Sequence, residues 1–181
     1  MLHIKIPETE YYDESRGEFF TIKAQTLNME HSLISISKWE AKWKKPYLSD
    51  EEKTPEEVLD YLRCMTIGPE PDPMVYQLIT SEQAKEISDY ISDPMTATTI
   101  HENAPQRGRK EIITSEIIYY WMVAQNIPTE YEKWHLNRLI TLIRVCSIKN
   151  DPNPKKMNKN AILRQNRALN AARRSKYHTR G

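Results

Sequence analysis

Histidines, cysteines and paired carboxylates are the side chains through which this chain could do chemistry, and their spacing assembles no familiar catalytic or metal-binding set. His3, His31, His101, His135 and His178 are scattered, with no His-x-x-x-His and no Cys-x-x-Cys pair to hold a metal ion. Cys64 and Cys146 each sit in a helix-like apolar pattern and read as free buried thiols rather than a disulfide framework. No Gly-x-Ser-x-Gly elbow presents a nucleophile. The internal glycines Gly17, Gly68 and Gly108 are isolated, which leaves no phosphate-cradling loop and no dinucleotide fingerprint. The acid pairs Glu56/Glu57 and Glu130/Glu132 would suit general acid–base work. Both, however, fall where helices are expected to start, and carboxylates there answer the positive helix end. The expectation is a protein that is not an enzyme and carries no cofactor and no metal.

Binding chemistry is better represented. Trp39 and Trp43 stand one helical turn apart among Lys38, Lys42, Lys44 and Lys45. That pattern fits a half-buried helix face whose lysine stems cover apolar surface. It also fits a partner-binding surface, because tryptophan beside basic residues is typical interface material; Trp39, Trp43, Tyr47 and Leu48 are then the exposed contact residues. Tyr119-Tyr120-Trp121-Met122 and Trp134-His135 read as core.

The net charge of +1 conceals an asymmetry. From Lys149 to Gly181 there are ten Lys or Arg against the single acid Asp151, a net +9, and the first 148 residues hold 16 basic against 24 acidic side chains, a net −8. Such a division reads as an acidic folded body (1–148) with a basic interaction tail (149–181). The tail cations Lys155, Lys156, Arg164, Arg167, Arg173 and Arg174 fit three roles: plain solvation, sequence-independent phosphate contact with nucleic acid, or docking on an acidic protein surface, including the body of another copy. Tyr177 is the tail's only aromatic, so stacking on bases finds no support.

The elements that must carry these residues predict an α+β, predominantly helical fold. Leu2, Ile4 and Ile6 alternate with polar residues as a strand ended by Pro7. Phe20, Ile22 and Ala24 alternate in turn, with Leu27 and Met29 extending them, so residues 1–29 read as one small β-hairpin with Gly17 at a turn. Helices are expected over 30–148. Ile34 and Ile36 alternate with Ser35 and Ser37 as a strand would, but Leu33, Ile36, Trp39 and Trp43 step as one helix face, which favours a helix stopped before Pro46. Thr54-Pro55-Glu56-Glu57 opens the next with a capping box, followed by the apolar face Val58, Leu59, Leu62 and Met65. The proline-rich run Gly68–Pro73 is a loop, and Met74–Ile79 a short apolar turn or helix. A helix capped by Thr80 or Ser81 turns Ala84, Ile87, Tyr90 and Ile91 inward and ends at Pro94. Residues 101–110 lack periodicity and read as a mobile loop. Thr114 or Ser115 starts a helix carrying Ile117, Ile118, Tyr120, Trp121 and Ala124. Thr129 and Glu132 form the capping box of the best-marked helix, whose stripe is Leu136, Leu139, Ile140, Ile143 and Cys146. A last helix over roughly 157–176 has good propensity but little to bury. No apolar run approaches the roughly 20 residues of a membrane-spanning helix, and Met1–Pro7 is too short and polar for a signal peptide.

Several stretches resemble a family of siphophage and prophage tail modules. They are His31-Ser32-Leu33 through Ser37-Lys38-Trp39-Glu40 with Trp43 and Lys45-Pro46; Lys53-Thr54-Pro55-Glu56-Glu57; Asp93-Pro94-Met95-Thr96-Ala97-Thr98; Ile112 through Met122; Trp134 through Leu139; Pro154-Lys155-Lys156-Met157; and Asn166 through Arg174. The resemblance is to the tail assembly chaperones of tailed bacteriophages and spans nearly the whole chain. It implies a non-catalytic protein of the bacterial host cytoplasm that coats the helical tape-measure protein before tail-tube subunits polymerise around it. Its implied partners are the tape-measure or other tail proteins and further copies of itself. A virion structural protein (a connector or baseplate component) and a nucleic-acid-associated virion protein have comparable composition.

Overall fold

The computed structural model describes residues 1–13, 17–100, 112–151, 163–164, 166–171 and 174. The N-terminal alternation yields β1 (Leu2–Ile6), β2 (Thr9–Asp13), β3 (Glu18–Ile22) and β4 (Gln25–Met29). The expected single hairpin is in fact two nested ones. β2 pairs with β3 alone, with Gly17 at φ 66° before β3. The chain breaks at Lys23–Ala24, and Leu27 and Met29 belong to a new strand antiparallel to β1. Cross-strand matching accounts for this: Leu2 lies opposite Met29 and Ile4 opposite Leu27, so their apolar side chains share one face. On the other face His3 Nδ1 donates to Asn28 Oδ1 at 2.7 Å.

Helices cover the apolar face. α1 (Leu33–Trp43) starts at Ser32, whose hydroxyl accepts the Ser35 N–H, and stops at Lys44 in the left-handed region, two residues before Pro46. α2 (Pro55–Met65) carries the full Thr54/Glu57 capping box. The two-residue strand β5 (Thr66–Ile67) follows directly and extends the sheet along β4. A 3-10 turn over Pro73–Leu78 leads to α3 (Ser81–Ser92), capped by Thr80 and Gln83. α4 (Ser115–Ala124), a 3-10 turn (Thr129–Lys133) and α5 (Leu136–Asn150) complete the body. The core gathers Ile4, Ile6, Leu27 and Met29 from the sheet, Leu33, Ile36 and Trp39 from α1, and apolar residues from α2, α4 and α5.

Several expected faces are corrected. On α2 the buried residues are Glu57, Asp60, Tyr61 and Met65, whereas Val58 is exposed; ion pairs draw the two acids inward. On α3 Ile87 is buried and Ala84 is exposed. The Thr129/Glu132 capping box does not form, and the segment is a 3-10 turn without a side-chain cap. Glu132 instead accepts the Tyr119 phenol at 2.8 Å, and α5 begins later, where the Leu136 N–H donates to the His31 carbonyl at 2.7 Å. Leu136, Leu139 and Ile143 are its buried stripe, with Ile140 and Cys146 only partly covered. Both cysteines are free and half-buried.

α4 obtains its N-terminal cap from a distant residue. Thr114 makes no side-chain cap. The Glu40 carboxylate from α1 accepts the Ser115 N–H at 2.8 Å and the Ser115 hydroxyl at 2.6 Å, while its other oxygen accepts the Tyr47 N–H at 2.8 Å. Glu40→Ala leaves buried donors without an acceptor, and each bond to a charged group contributes roughly 1.5–3 kcal/mol. The variant is expected to lose on the order of 3 kcal/mol of stability, read as a lowered urea midpoint; an unchanged midpoint contradicts the capping role.

Contacts divide the chain into two compact units, Met1–Ser147 and Ile148–Gly181. In the second, the described residues 163–164, 166–171 and 174 are helical and exposed. The remainder of the expected tail helix and the expected 101–110 loop lie outside the described residues. Among those described, no helix is long and apolar enough to cross a membrane.

Candidate functional site

The tryptophan–lysine pattern on α1 folds into a seam rather than a surface. Trp39 is 1% exposed, and its indole N–H donates to the Glu57 carbonyl on α2 at 2.8 Å. Its expected role as an exposed contact residue is therefore corrected: the ring is needed inside, with its one polar atom satisfied across the helix pair. Trp43 is half-buried and donates to Asp60 at 2.9 Å. Lys42 pairs with the same carboxylate, and Lys45 pairs with Glu57 at 2.6 Å. Lys45 holds the Glu57 carboxyl below its ordinary range, and Glu57 raises the Lys45 ammonium. Tyr47 is also drawn inward, stacked on Tyr61 at 4.0 Å with Lys53 over its outer side at 4.6 Å. Of the four expected contact residues only Leu48 counts as exposed.

Beneath the seam the fold assembles a cluster that the scattered sequence positions concealed. His31 and His135 lie 104 positions apart in the chain, yet their ring centroids are separated by 5.1 Å. His31 Nδ1 and the Tyr61 hydroxyl share a 2.5 Å hydrogen bond, and His135 Nε2 donates to the Tyr90 carbonyl at 3.0 Å. A histidine–tyrosine pair can in principle exchange a proton with a substrate. Here His31 and Tyr61 are each 2% exposed and His135 6%, so the pair is shielded. Burial, and secondarily the neighbouring His135, lowers the His31 pKa to about 3; burial lowers His135 as well.

The sign of the resulting pH dependence follows from linkage. The unfolded chain protonates His31 near pH 6.5, while the folded chain resists protonation until about pH 3. The stabilising difference is complete above pH 6.5 and is lost on acidification between those values. Between pH 6.5 and 4.5 it is expected to fall by on the order of 2 kcal/mol. Urea unfolding of the protein and of His31→Gln across that interval checks this: the variant's curve should be the flatter, and parallel curves would refute the assignment.

Strongly accessible apolar side chains stand on α4. Tyr120, read as core from sequence, is 68% exposed, and Val123 one turn on is 75% exposed. Inward-facing Ile118 and Met122 fill the core from the opposite side of the same helix. Trp121 and Ala124, also on this helix, line a cleft of about 280 Å³ between α4 and α5 together with Ile113, Ile140 and Ile143, with Arg144 at the same cleft. Tyrosine and tryptophan next to an aliphatic groove form a surface suited to an apolar helix face from another protein. A run apolar on nearly every side, such as Ile117–Ala124, does not disclose which side faces outward, so its sequence held no usable signal.

The tail candidates are only partly described. Arg164, Arg167 and Arg174 are exposed on helical residues; Lys155, Lys156 and Arg173 lie outside the described residues. Among the described residues no group of three or more His, Cys, Asp or Glu side chains is placed to hold a metal ion. Compared with protein-family models, curated proteins and solved structures, the chain matches none.

Proposed function

We propose that this chain is a non-catalytic tail assembly chaperone of a tailed bacteriophage, acting in the host cytoplasm and binding the tape-measure protein ahead of tail-tube assembly. The observation that carries its binding role is the apolar surface of α4, with Tyr120 and Val123 exposed and Trp121 and Ala124 lining an aliphatic cleft against α5. A tape measure presents an extended amphipathic helix, and a shallow apolar surface of modest area covers such a face without locking it. The sequence resemblance suggests the client, and the exposed apolar residues of α4 support it as the contact. Co-expression of the full chain with the tape-measure protein and affinity capture tests the assignment. Co-purification in fixed ratio is expected, and absence of any complex sinks it. Mass spectrometry of purified virions then separates a chaperone, depleted from the particle, from a structural component in fixed copy number.

The exposed Arg164, Arg167 and Arg174 favour a second reading, a nucleic-acid-associated virion protein. Phosphate contacts predict affinity for duplex DNA that falls steeply with salt and disappears when 155–181 are deleted.

A further inference from the structure

A pocket of about 410 Å³ is bounded by α1, α2, β5 and the loop Gly68–Pro71. This volume falls within the range of small-ligand sites. Its lining carries Lys38, Lys42 and Arg63 against Asp60 and Glu70. Asp60 is already engaged by Lys42 and by the Trp43 indole. Lys38 and Arg63 then face the single acid Glu70, so the lining as a whole carries one net positive charge.

Arg63 is the unusual member. Its Nε–H is buried without a hydrogen-bond partner among the described residues. The guanidinium lies over the Tyr76 ring, 5.7 Å from its centroid, and Tyr76 is itself fixed by donating its hydroxyl to Thr66 at 3.0 Å. A donor held against an aromatic ring and left unsatisfied carries a desolvation cost that an incoming acceptor removes. Pro69 and Pro71 stiffen the rim opposite, which lowers the ordering cost of binding.

We infer that this pocket is a binding site for a carboxylate-bearing ligand, with Arg63 Nε donating to a carboxylate oxygen and Lys38 supplying the second cation at the rim. The net single positive charge matches one carboxylate, whereas a phosphate dianion would leave an uncompensated negative charge beside Asp60 and Glu70. The volume exceeds what a carboxylate alone fills, so the group arrives on a larger body: a small organic acid, or an acidic side chain of a polypeptide. The site is separate from the α4–α5 face and does not depend on the function proposed for it.

Titration of the ¹⁵N-labelled full chain followed by two-dimensional NMR tests the site, with the monocarboxylate butyrate as one probe and a capped Ala-Glu-Ala peptide as the other. Saturable shifts confined to residues around 38, 42 and 60–70, and including the Arg63 Nε–H, are expected from at least one probe. Butyrate alone points to a small organic acid, the peptide alone to a protein side chain, and both outcomes support the site. Capped Ala-Gln-Ala should cause no such shifts. Arg63→Gln is expected to weaken binding at least tenfold. Should that variant fail to fold, Lys38→Gln at the exposed rim decides, with a several-fold loss expected. No saturable shift with either probe, equal shifts from the glutamine peptide, or undiminished binding in both variants overturns the inference.

Discussion

Trp39→Ala is expected to destabilise the protein by about 3–5 kcal/mol, the usual cost of removing a fully buried large aromatic side chain. Against a typical total of about 5–15 kcal/mol, that loss brings the chain close to unfolding at room temperature. The ring is enclosed by α1 and α2 and meets Trp43 at 6.2 Å and Tyr47 at 5.2 Å between ring centroids. Trp43→Ala should cost much less, since its ring is half-exposed and its loss removes mainly one bond to Asp60. Urea denaturation followed by far-ultraviolet circular dichroism distinguishes the two. A Trp39→Ala midpoint equal to that of the parent would return the residue to the surface role that sequence alone allowed.

The second large effect concerns association. Replacing Tyr120 and Val123 together by glutamate puts two charges where an apolar helix face is proposed to seat. Aromatic anchors at interface centres contribute upwards of 2 kcal/mol each, so affinity for the client should fall by more than about thirtyfold. Stability should barely change, because both side chains already face solvent and surface substitutions shift stability within about 0.5 kcal/mol. Isothermal titration against the tape-measure protein together with a thermal melt provides both readouts. Retained affinity in a normally folded double variant would move the contact off α4.

Local signals were the ones that sequence made legible. Thr54 with Glu57, Pro55 at the first helical position, the stop before Pro46 and the prolines Pro69 and Pro71 after Gly68 each act through the nearest few residues, and the fold contains each feature, although Pro73, expected in the same loop, opens the 3-10 turn. The helix-dominated α+β class followed from the same signals. What failed were assignments decided by distant partners. Thr129 and Glu132 have capping-box spacing, but Tyr119 takes the Glu132 carboxylate. Glu57 and Asp60 look like solvent-facing acids until Lys45 and Lys42 pair with them, which turns α2 and leaves Val58 outside. The strand containing Leu27 and Met29 was visible, but its pairing with β1 depended on which alternating segment placed apolar side chains opposite Leu2 and Ile4. For the site, the tryptophan–lysine pattern was conspicuous and belongs to the interior. The α4 face was hidden in a run where buried and exposed residues have the same character.

The Glu40 cap on α4 has a kinetic consequence. Amides in the first turn of a helix ordinarily exchange with solvent quickly, since no preceding carbonyl covers them. Ser115 is fully buried, and its amide is held by a carboxylate from another helix, so its hydrogen should exchange only when α1 and α4 separate. Deuterium uptake at Ser115 would then report the opening of the larger structure, and α4 would hold Tyr120 and Val123 in fixed positions through many encounters with a partner, with no fraying from its start.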